Sequence, residues 1–243
     1  MRRATPDYVL AGVARLLAAV LPLFGRTPGA IADATLYAGY RRRLRALTDD
    51  PRAAARSATL AEDLAQIADG YRAASADPEA VIVGLEAIVV AVRAFVPVAA
   101  VNPVRARQRR VEMKFAGLVE VLAVAAAARA VADVVIVSHD QAERIRGRMR
   151  RLIDLAIERA ADLEETLVVR ALRETGGWIA RDLIERGRPL ARIVTYRTGV
   201  PLPSVVLAHK LYQDAGRAGE LADNNAGHDH PSFMPMSGKA LSR

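Results

Sequence analysis

Residues 121–137, VLAVAAAARAVADVVIV, and residues 138–167, SHDQAERIRGRMRRLIDLAIERAADLEETL, decide the fold class of this chain. The first stretch is rich in alanine and valine, and small side chains let helices approach one another closely. Ser138 and Gln141 have the capping-box spacing that starts a helix in the second stretch. An apolar stripe with helical spacing follows: Ile145, Met149, Leu152, Ala156, Ala160, Leu163 and Leu167. The two stretches predict long helices packed side by side.

Helical patterns extend from this region towards the N-terminus. Apolar residues make up 52% of the 243 residues and aromatic residues only 5%, which favours a core of alanine, valine and leucine. Asp50-Pro51 and Asp77-Pro78 each combine an N-cap residue with proline at the first helical position. Five helices are predicted before this stripe. The first two cover Val9 to Pro22 and Ala30–Leu47, and the third starts at Asp50-Pro51 and carries its own apolar stripe, Leu60, Leu64, Ile67 and Tyr71. The fourth, Glu79–Val96, should lie centrally, and the fifth covers Arg105–Val137.

The C-terminal part of the chain has a different pattern. Gly176-Gly177 is predicted to break or bend the stripe helix before a last helix around Trp178–Glu185. Arg192–Thr198 alternates β-branched and polar residues and predicts a short strand. Two short helices and a late strand follow. The predicted organisation is mainly α: a helical bundle over 1–190, with a sub-boundary near 97–104, and a small α+β module over 191–243.

Arginine dominates the charge of the chain. The sequence carries 35 basic and 27 acidic residues, a net charge of +8, and 32 of the basic residues are arginines. Residues 101–202 hold 19 basic and 13 acidic residues, so most of the excess lies there. Such an excess suits phosphate or an acidic partner. It also suits arginine-rich helix faces with ordinary ion pairs, and composition does not separate the two interpretations.

Two arginine clusters are the candidate contact sites. They lie at the starts of two predicted helices: Arg105, Arg107, Arg109 and Arg110 in the first, and Arg144, Arg148 and Arg151, which share a helix face, in the second. Such a stripe contacts a phosphate backbone without recognising sequence. The alternative is an arginine face that pairs with acidic residues of neighbouring helices or subunits.

Catalytic and metal-binding motifs are missing from the sequence. The chain has no cysteine, no glycine-rich phosphate loop and no zinc-protease motif, so we predict no enzyme, no cofactor and no metal. His228-Asp229-His230 offers two histidines without a clear third ligand, which favours a polar loop surface. The apolar stretches Val81–Val101 and Val121–Val137 contain charged residues, which favours buried helices over membrane insertion.

The segments PSVVLAHKLYQDAGRAGEL (203–221) and HPSFMP (230–235), with Asn225 between them, carry a family resemblance. They resemble the C-terminal signature of the Mu-like phage DNA circularisation protein family. Residues 100–241 are similar to that family, and 202–235 carry the specific part of the likeness. Members carry a large N-terminal domain ahead of these helices. The resemblance therefore implies that this chain is a split, shortened or diverged relative.

The resemblance implies a structural protein of a contractile or Mu-like phage tail. Such a hub or baseplate component self-associates, docks other tail proteins and is assembled in the host cytoplasm into the virion. The implied docking residues lie in the signature: Leu207, His209, Tyr212, Asp214, Asn225, His230, Pro231 and Phe233. The family name implies an alternative, in which the protein binds injected DNA without sequence specificity and holds its ends together.

The terminal module is also similar to a LysM domain. LysM modules bind glycan, and LysM-like folds also dock proteins in tail baseplates. The usual Gly-Asp-Thr opening is replaced by Pro201-Leu202-Pro203-Ser204, which favours docking. Peptidoglycan binding through residues 191–243 stays a third interpretation, and a pull-down on purified cell-wall glycan would test it.

Overall fold

The computed structural model of the protein describes residues 7–26, 29–226 and 232–242. Within them the protein is mainly helical, as predicted, with ten α-helices and one two-stranded antiparallel sheet. The elements are α1 (Asp7–Phe24), α2 (Ala34–Asp49), α3 (Pro51–Arg56), α4 (Leu60–Ala73), α5 (Pro78–Ala94), α6 (Pro103–Asp133), α7 (His139–Asp162), α8 (Thr166–Gly187), β1 (Ile193–Arg197), α9 (Ser204–Tyr212), α10 (Ala218–Asp223) and β2 (Ser237–Leu241).

The chain divides into two compact units. The first comprises Met1–Val134 and Gly147–Ala180, and the second comprises Val135–Arg146 and Arg181–Arg243. The second unit thus adds residues 135–146 and 181–190 to the predicted 191–243 module. The loop at the predicted sub-boundary near 97–104 lies within the first unit.

Aspartate and asparagine caps set the helix starts of the first unit. Asp33, Asp50, Asp77 and Asn102 each accept hydrogen bonds from backbone N–H groups of the first turn that follows. These side chains satisfy donors that have no partner inside the helix. The starts predicted from Asp50-Pro51 and Asp77-Pro78 are confirmed.

The helix predicted from Asp50-Pro51 through Tyr71 is wrong as a single element. The chain forms the short α3 and then α4, which carries the predicted stripe. The Ser57 Oγ atom accepts from the Thr59 N–H at 3.2 Å, and the Thr59 hydroxyl donates to Asp63 at 3.0 Å. Side chains that hydrogen-bond locally compete with the helical backbone pattern, which accounts for the interruption.

The break predicted at Gly176-Gly177 is also wrong. Both glycines lie inside α8, and the chain turns instead at residues 163–165. Glu164 has a φ of 61° there, in the left-handed region that ends helices. A Cβ atom on Gly176 would lie 3.5 Å from the Ile153 side chain, so packing of α8 on α7 holds the glycine in helical conformation. The predicted continuous stripe through Leu167 is therefore divided between two helices.

The helix predicted over Arg105–Val137 ends earlier, at Asp133. The four residues that follow are valine and isoleucine, and residues 134–137 are not helical. β-Branched side chains lose rotamer freedom in a helix, which favours extended backbone here.

Helix α6 is the centre of the first unit. Its alanines Ala123, Ala126, Ala127 and Ala130 are fully buried, and α1, α4 and α5 pack against it. Helix α5 was predicted to be central, yet it exposes Val83 and Val90 on its outer face. Helices α1 and α6 have the length and mean hydropathy of membrane spans, with 50% and 56% of their apolar windows buried in the fold. Core helices pass the same test, so it does not by itself indicate a membrane.

The second unit contains the sheet. Strand β1 pairs antiparallel with β2, with Ile193 opposite Leu241 and Arg197 opposite Ser237, and the predicted strand at 192–198 is confirmed. Helices α9 and α10 follow β1, with a short 3₁₀ turn at Ala215–Arg217 between them. A small core joins these elements: Tyr196, Leu207, Ala208, Tyr212, Leu221, Met234 and Ala240.

Candidate functional site

The arginine cluster at the start of α6 lies on the protein surface. Arg105, Arg107, Arg109 and Arg110 are all exposed. Arg105 donates to the Gln108 side chain at 2.9 Å, and the other three form no ion pair within the described part of the chain. A helix N-terminus carries a partial positive charge, so four cations there create a site that favours an anion.

The predicted arginine stripe on α7 is not a uniform surface. Arg144 belongs to the second unit, whereas Arg148 and Arg151 belong to the first. The Arg148 Nε atom lies 3.0 Å from a carboxylate oxygen of Glu86 on α5, so its charge is already neutralised. Arg144 and Arg151 are exposed and have no ion pair among residues 7–26, 29–226 and 232–242. Of the three arginines, Arg148 is thus paired inside the first unit, whereas Arg144 and Arg151 are exposed and belong to different units.

Two buried glutamates on α6 were missed by the sequence reasoning. Glu112 and Glu120 both have 0% exposure. An isolated buried carboxylate is very costly, so each must have charged or hydrogen-bonding partners. The available sequence signal was their position: eight residues apart, on the same helix face as Ala116, Ala123 and Ala127.

Glu120 is held between two arginines from different helices. Arg93 of α5 donates its Nε hydrogen to Glu120 at 2.9 Å, and Arg159 of α7 pairs with the other carboxylate oxygen. Arg93 also reaches the exposed Glu158 at 2.9 Å. Burial lowers the pKa of Arg93, but hydrogen bonds to Glu120 and Glu158 outweigh it and raise the pKa overall. The group fixes the alignment of α5, α6 and α7.

Glu112 anchors a loop as well as a helix. It accepts from Arg15 of α1 at 3.1 Å, from the Val98 N–H at 2.8 Å and from the Gln108 amide at 3.0 Å. A Cβ atom on Gly12 would lie 2.8 Å from the Glu112 Cγ atom, so glycine at this position makes room for the carboxylate. Both glutamates therefore hold elements of the first unit together.

Metal ligation has no support among the described residues, where no three His, Cys, Asp or Glu side chains cluster. His228-Asp229-His230 lies outside those residues. The sequence hypothesis of a polar loop there stays a prediction.

The signature residues of the C-terminal module mainly hold the module together. Leu207 is 1% exposed at the centre of the small core. Tyr212 is buried, and its hydroxyl accepts from the Leu241 N–H at 3.0 Å, which ties α9 to β2. Burial raises the pKa of Tyr212, and the hydrogen bond from Leu241 partly opposes that rise. Asp214 accepts from the Gly216 N–H at 2.8 Å and so caps the 3₁₀ turn.

Asn225 acts as a clamp between α10 and β2. Its amide donates to the carbonyl oxygens of Leu221 and Lys239 at 2.7 Å, and its side-chain oxygen accepts from the Lys239 N–H at 2.7 Å. Gly238 lies beside this clamp, where a Cβ atom would come within 2.4 Å of the Asn225 oxygen. The three hydrogen bonds account for asparagine at position 225, and the lack of space for a Cβ atom accounts for glycine at position 238.

The remaining signature residues face outward or fall outside the described part. Phe233 is 71% exposed, and His209 is exposed on α9. Val205 and Val206 on α9 are exposed as well, as is Met236 before β2. His230 and Pro231 lie outside the described residues. Of the eight predicted docking residues, Phe233, His209 and Asp214 are exposed among the residues that the structure describes, and Asp214 also caps the 3₁₀ turn.

A basic cleft in the second unit was not predicted from the sequence. It has a volume of about 600 Å³ and lies between the start of α7, the end of α8 and the segment before β1. Arg146, Arg188, Arg192 and His139 line it, together with one acidic residue, Glu143. These basic residues come from two segments about forty residues apart in the chain, so no local motif revealed the cleft.

No protein-family model matches the chain, and no curated protein matches it. The family resemblance therefore rests on the quoted signature residues alone.

Proposed function

We propose that the protein is a structural component of a Mu-like phage tail or baseplate, which self-associates and docks neighbouring tail proteins. The observation that carries this proposal is the use of the signature residues. Leu207, Tyr212, Asp214 and Asn225 hold one small module together, while Phe233 stays 71% exposed. A signature that builds a scaffold and leaves an aromatic side chain outside suits a docking module, because aromatic anchors dominate many interfaces.

The order of elements in the module supports a LysM-like fold. Strand β1, helices α9 and α10, and strand β2 follow in that order, with the two strands antiparallel. The segment that replaces the Gly-Asp-Thr opening is fixed to the late loop, because the Met234 N–H donates to the Leu202 carbonyl at 3.0 Å.

The proposal is tested by measuring mass in solution by light scattering, with and without double-stranded DNA at low and moderate salt. A defined oligomer that is indifferent to DNA is the expected result. A Phe233→Ala variant should keep that mass and its folded spectrum but lose binding to a neighbouring tail protein. The matched control is Met236→Ala, which removes an exposed apolar side chain that is not aromatic. A wild-type monomer at every concentration would remove the self-association half of the proposal.

DNA binding is the second candidate function, favoured by the free arginines at the start of α6. Three exposed cations without ion pairs in the described residues are available for phosphate. Binding through them should weaken as salt rises, with a slope of about −0.9 per phosphate contacted.

Replacing Arg107, Arg109 and Arg110 by alanine should flatten that slope. The matched control replaces Arg42, Arg43 and Arg45 of α2, which removes the same charge from another exposed helix face. An equal effect of the two triple variants would show a general charge effect and no DNA site on α6.

A further inference from the structure

We propose that the basic cleft of the second unit binds the turn between α7 and α8 of another copy of this chain. This inference deepens, and rests on, the self-association half of the proposed function. The copies make contact through two surfaces, the cleft and the turn, which carry opposite charges and apolar groups.

The lining of the cleft contains several basic side chains. Arg188 and Arg192 are exposed, and the Arg192 Nη2 atom lies 3.5 Å from the His139 Nε2 atom. The one carboxylate in the lining belongs to Glu143, which pairs with Arg146 at 2.6 Å. Within the described part of the chain, Arg188 and Arg192 therefore have no carboxylate partner, and a carboxylate is the ligand group that guanidinium best complements.

The lining of the cleft also contains aliphatic side chains. Leu183, Ile184, Pro189 and Leu190 contribute to the lining. Its volume of about 600 Å³ falls in the usual range for ligand pockets, about 300–1,000 Å³. Duplex DNA presents a phosphate backbone without aliphatic groups, so the mixed lining suits a peptide that carries both a carboxylate and an aliphatic side chain.

The turn between α7 and α8 has that composition. Leu167 is 82% exposed, more than any other large hydrophobic side chain in the described part of the chain. Glu164 is exposed and has no ion pair among the described residues, whereas Glu165 pairs with Lys114 at 3.0 Å. One free carboxylate and one exposed leucine thus stand three residues apart.

The backbone of the turn adds to the case. Glu164 occupies a left-handed conformation with a φ of 61°, which glycine or asparagine adopts at lower cost. A glutamate at this position projects its carboxylate from the turn at the expense of some local strain. The same conformation ends α7, where the Glu164 and Glu165 N–H groups donate to the carbonyl oxygens of Ala161 and Ala160, and it leaves Glu164 exposed.

The cleft and the turn are different surfaces, so the contact is heterologous. Head-to-tail contacts generate rings when the rotation closes and filaments when it does not.

The experiment uses two variants of the full chain. The cleft variant carries Arg188→Ala and Arg192→Ala, and the turn variant carries Glu164→Gln and Leu167→Ala. Each alone should lower self-association at least about tenfold, since losing one desolvated charge pair at an interface exceeds about 1.4 kcal/mol. A control with Arg52→Ala and Arg56→Ala on α3 should keep the wild-type mass. Circular dichroism confirms that all variants stay folded.

Mixing the two variants gives the decisive result. The intact cleft of the turn variant can take the intact turn of the cleft variant, and the other two surfaces are disabled. The mixture should therefore form a complex of two chains and nothing larger. Wild-type oligomers that both variants leave unchanged would overturn this inference but not self-association. A cleft variant that loses only DNA affinity would overturn it in favour of phosphate binding.

Discussion

The first unit and the C-terminal module satisfy their buried polar groups in different ways. In the first unit, α6 buries two full charges, Glu112 and Glu120, which arginines of other helices neutralise. In the module, neutral groups do this work, through the Tyr212 hydroxyl and the Asn225 amide. Buried ion pairs thus fix the alignment of the helices in the first unit. In the module, hydrogen bonds between segments that are distant in the chain hold the strand and helices together.

The physical reason lies in the surfaces that are brought together. Alanine-rich helices pack closely and offer little shape to distinguish one alignment from another. A buried carboxylate between Arg93 and Arg159 penalises every alignment that separates them, so it specifies one. The module instead has to join β2 to α9 and α10, and backbone groups at a strand edge need hydrogen-bonding partners.

The largest effect should follow from removing the buried charge of the first unit. Glu120→Ala leaves Arg93 and Arg159 without their shared carboxylate, and breaking a buried ion pair in this way costs about 3–5 kcal/mol. Urea unfolding measures the loss. Glu158→Ala is the matched control, because Glu158 pairs with the same Arg93 but its side chain is 64% exposed. That change should cost below about 1 kcal/mol. Equal losses would show that burial is not what gives Glu120 its role.

The next largest effect should come from opening the clamp of the module. Asn225→Ala removes three hydrogen bonds, each worth about 0.5–1.5 kcal/mol, so a loss of about 2–3 kcal/mol is expected. Amide exchange should accelerate in β2 and stay unchanged in α6. Asn224→Ala, which removes one bond to the Glu220 carbonyl, should have the smaller effect. Acceleration in α6 as well would contradict the separation of the two kinds of stabilisation.

A smaller effect is expected from filling the space beside the clamp. In Gly238→Ala the new Cβ atom would meet the Asn225 oxygen at 2.4 Å and the Tyr196 hydroxyl at 2.6 Å. Overpacking of this kind costs about 1–3 kcal/mol, and thermal unfolding followed by circular dichroism measures it. Gly199→Ala has no atom within 4 Å of the new methyl group and should leave stability within about 0.5 kcal/mol. A stabilised Gly238→Ala protein would show that the clamp is loose in solution.

The last prediction concerns the buried tyrosines of both units. Their effect on the pH dependence of stability is the smallest at neutral pH and grows at alkaline pH. Burial raises the pKa of Tyr40 and Tyr71 in the first unit and of Tyr196 and Tyr212 in the module. Because the folded-state pKa is raised, each of these tyrosines contributes its full stabilisation at a pH below its unfolded-state pKa of about 10. That contribution is lost as the pH rises through the folded-state pKa.

Stability should therefore fall above about pH 10, with tyrosine ionisation coinciding with unfolding. The pKa of Tyr40 rises strongly, and its hydroxyl donates to the Phe24 carbonyl, so Tyr40 should stay protonated to a higher pH than the other three buried tyrosines. Tyrosinate absorbance and circular dichroism, recorded together against pH, check this. Ionisation of all tyrosines near the ordinary pKa in a folded protein would refute it.

Local signals in the sequence predicted much of the helical architecture. The Asp-Pro pairs, the capping box at Ser138 and the apolar stripes act through neighbouring residues, and the structure confirms the helix starts they indicate. The failures were of another kind. The break at Gly176-Gly177 was wrong because packing against Ile153 overrides the weak helix propensity of glycine. The turn formed at Glu164 instead, a residue that carries no turn signal of its own.

The sequence by itself determined the mainly α class, the helix caps and the place of the small sheet, because these depend on periodicity and on side chains that bond within a few residues. Only the tertiary structure showed that Arg148 is neutralised by Glu86 while the arginines of α6 stay exposed. It alone brought Asn225 to Lys239 and gathered the cations of the basic cleft. Such sites join residues far apart in the chain, and no spacing rule connects side chains that meet only after the helices pack.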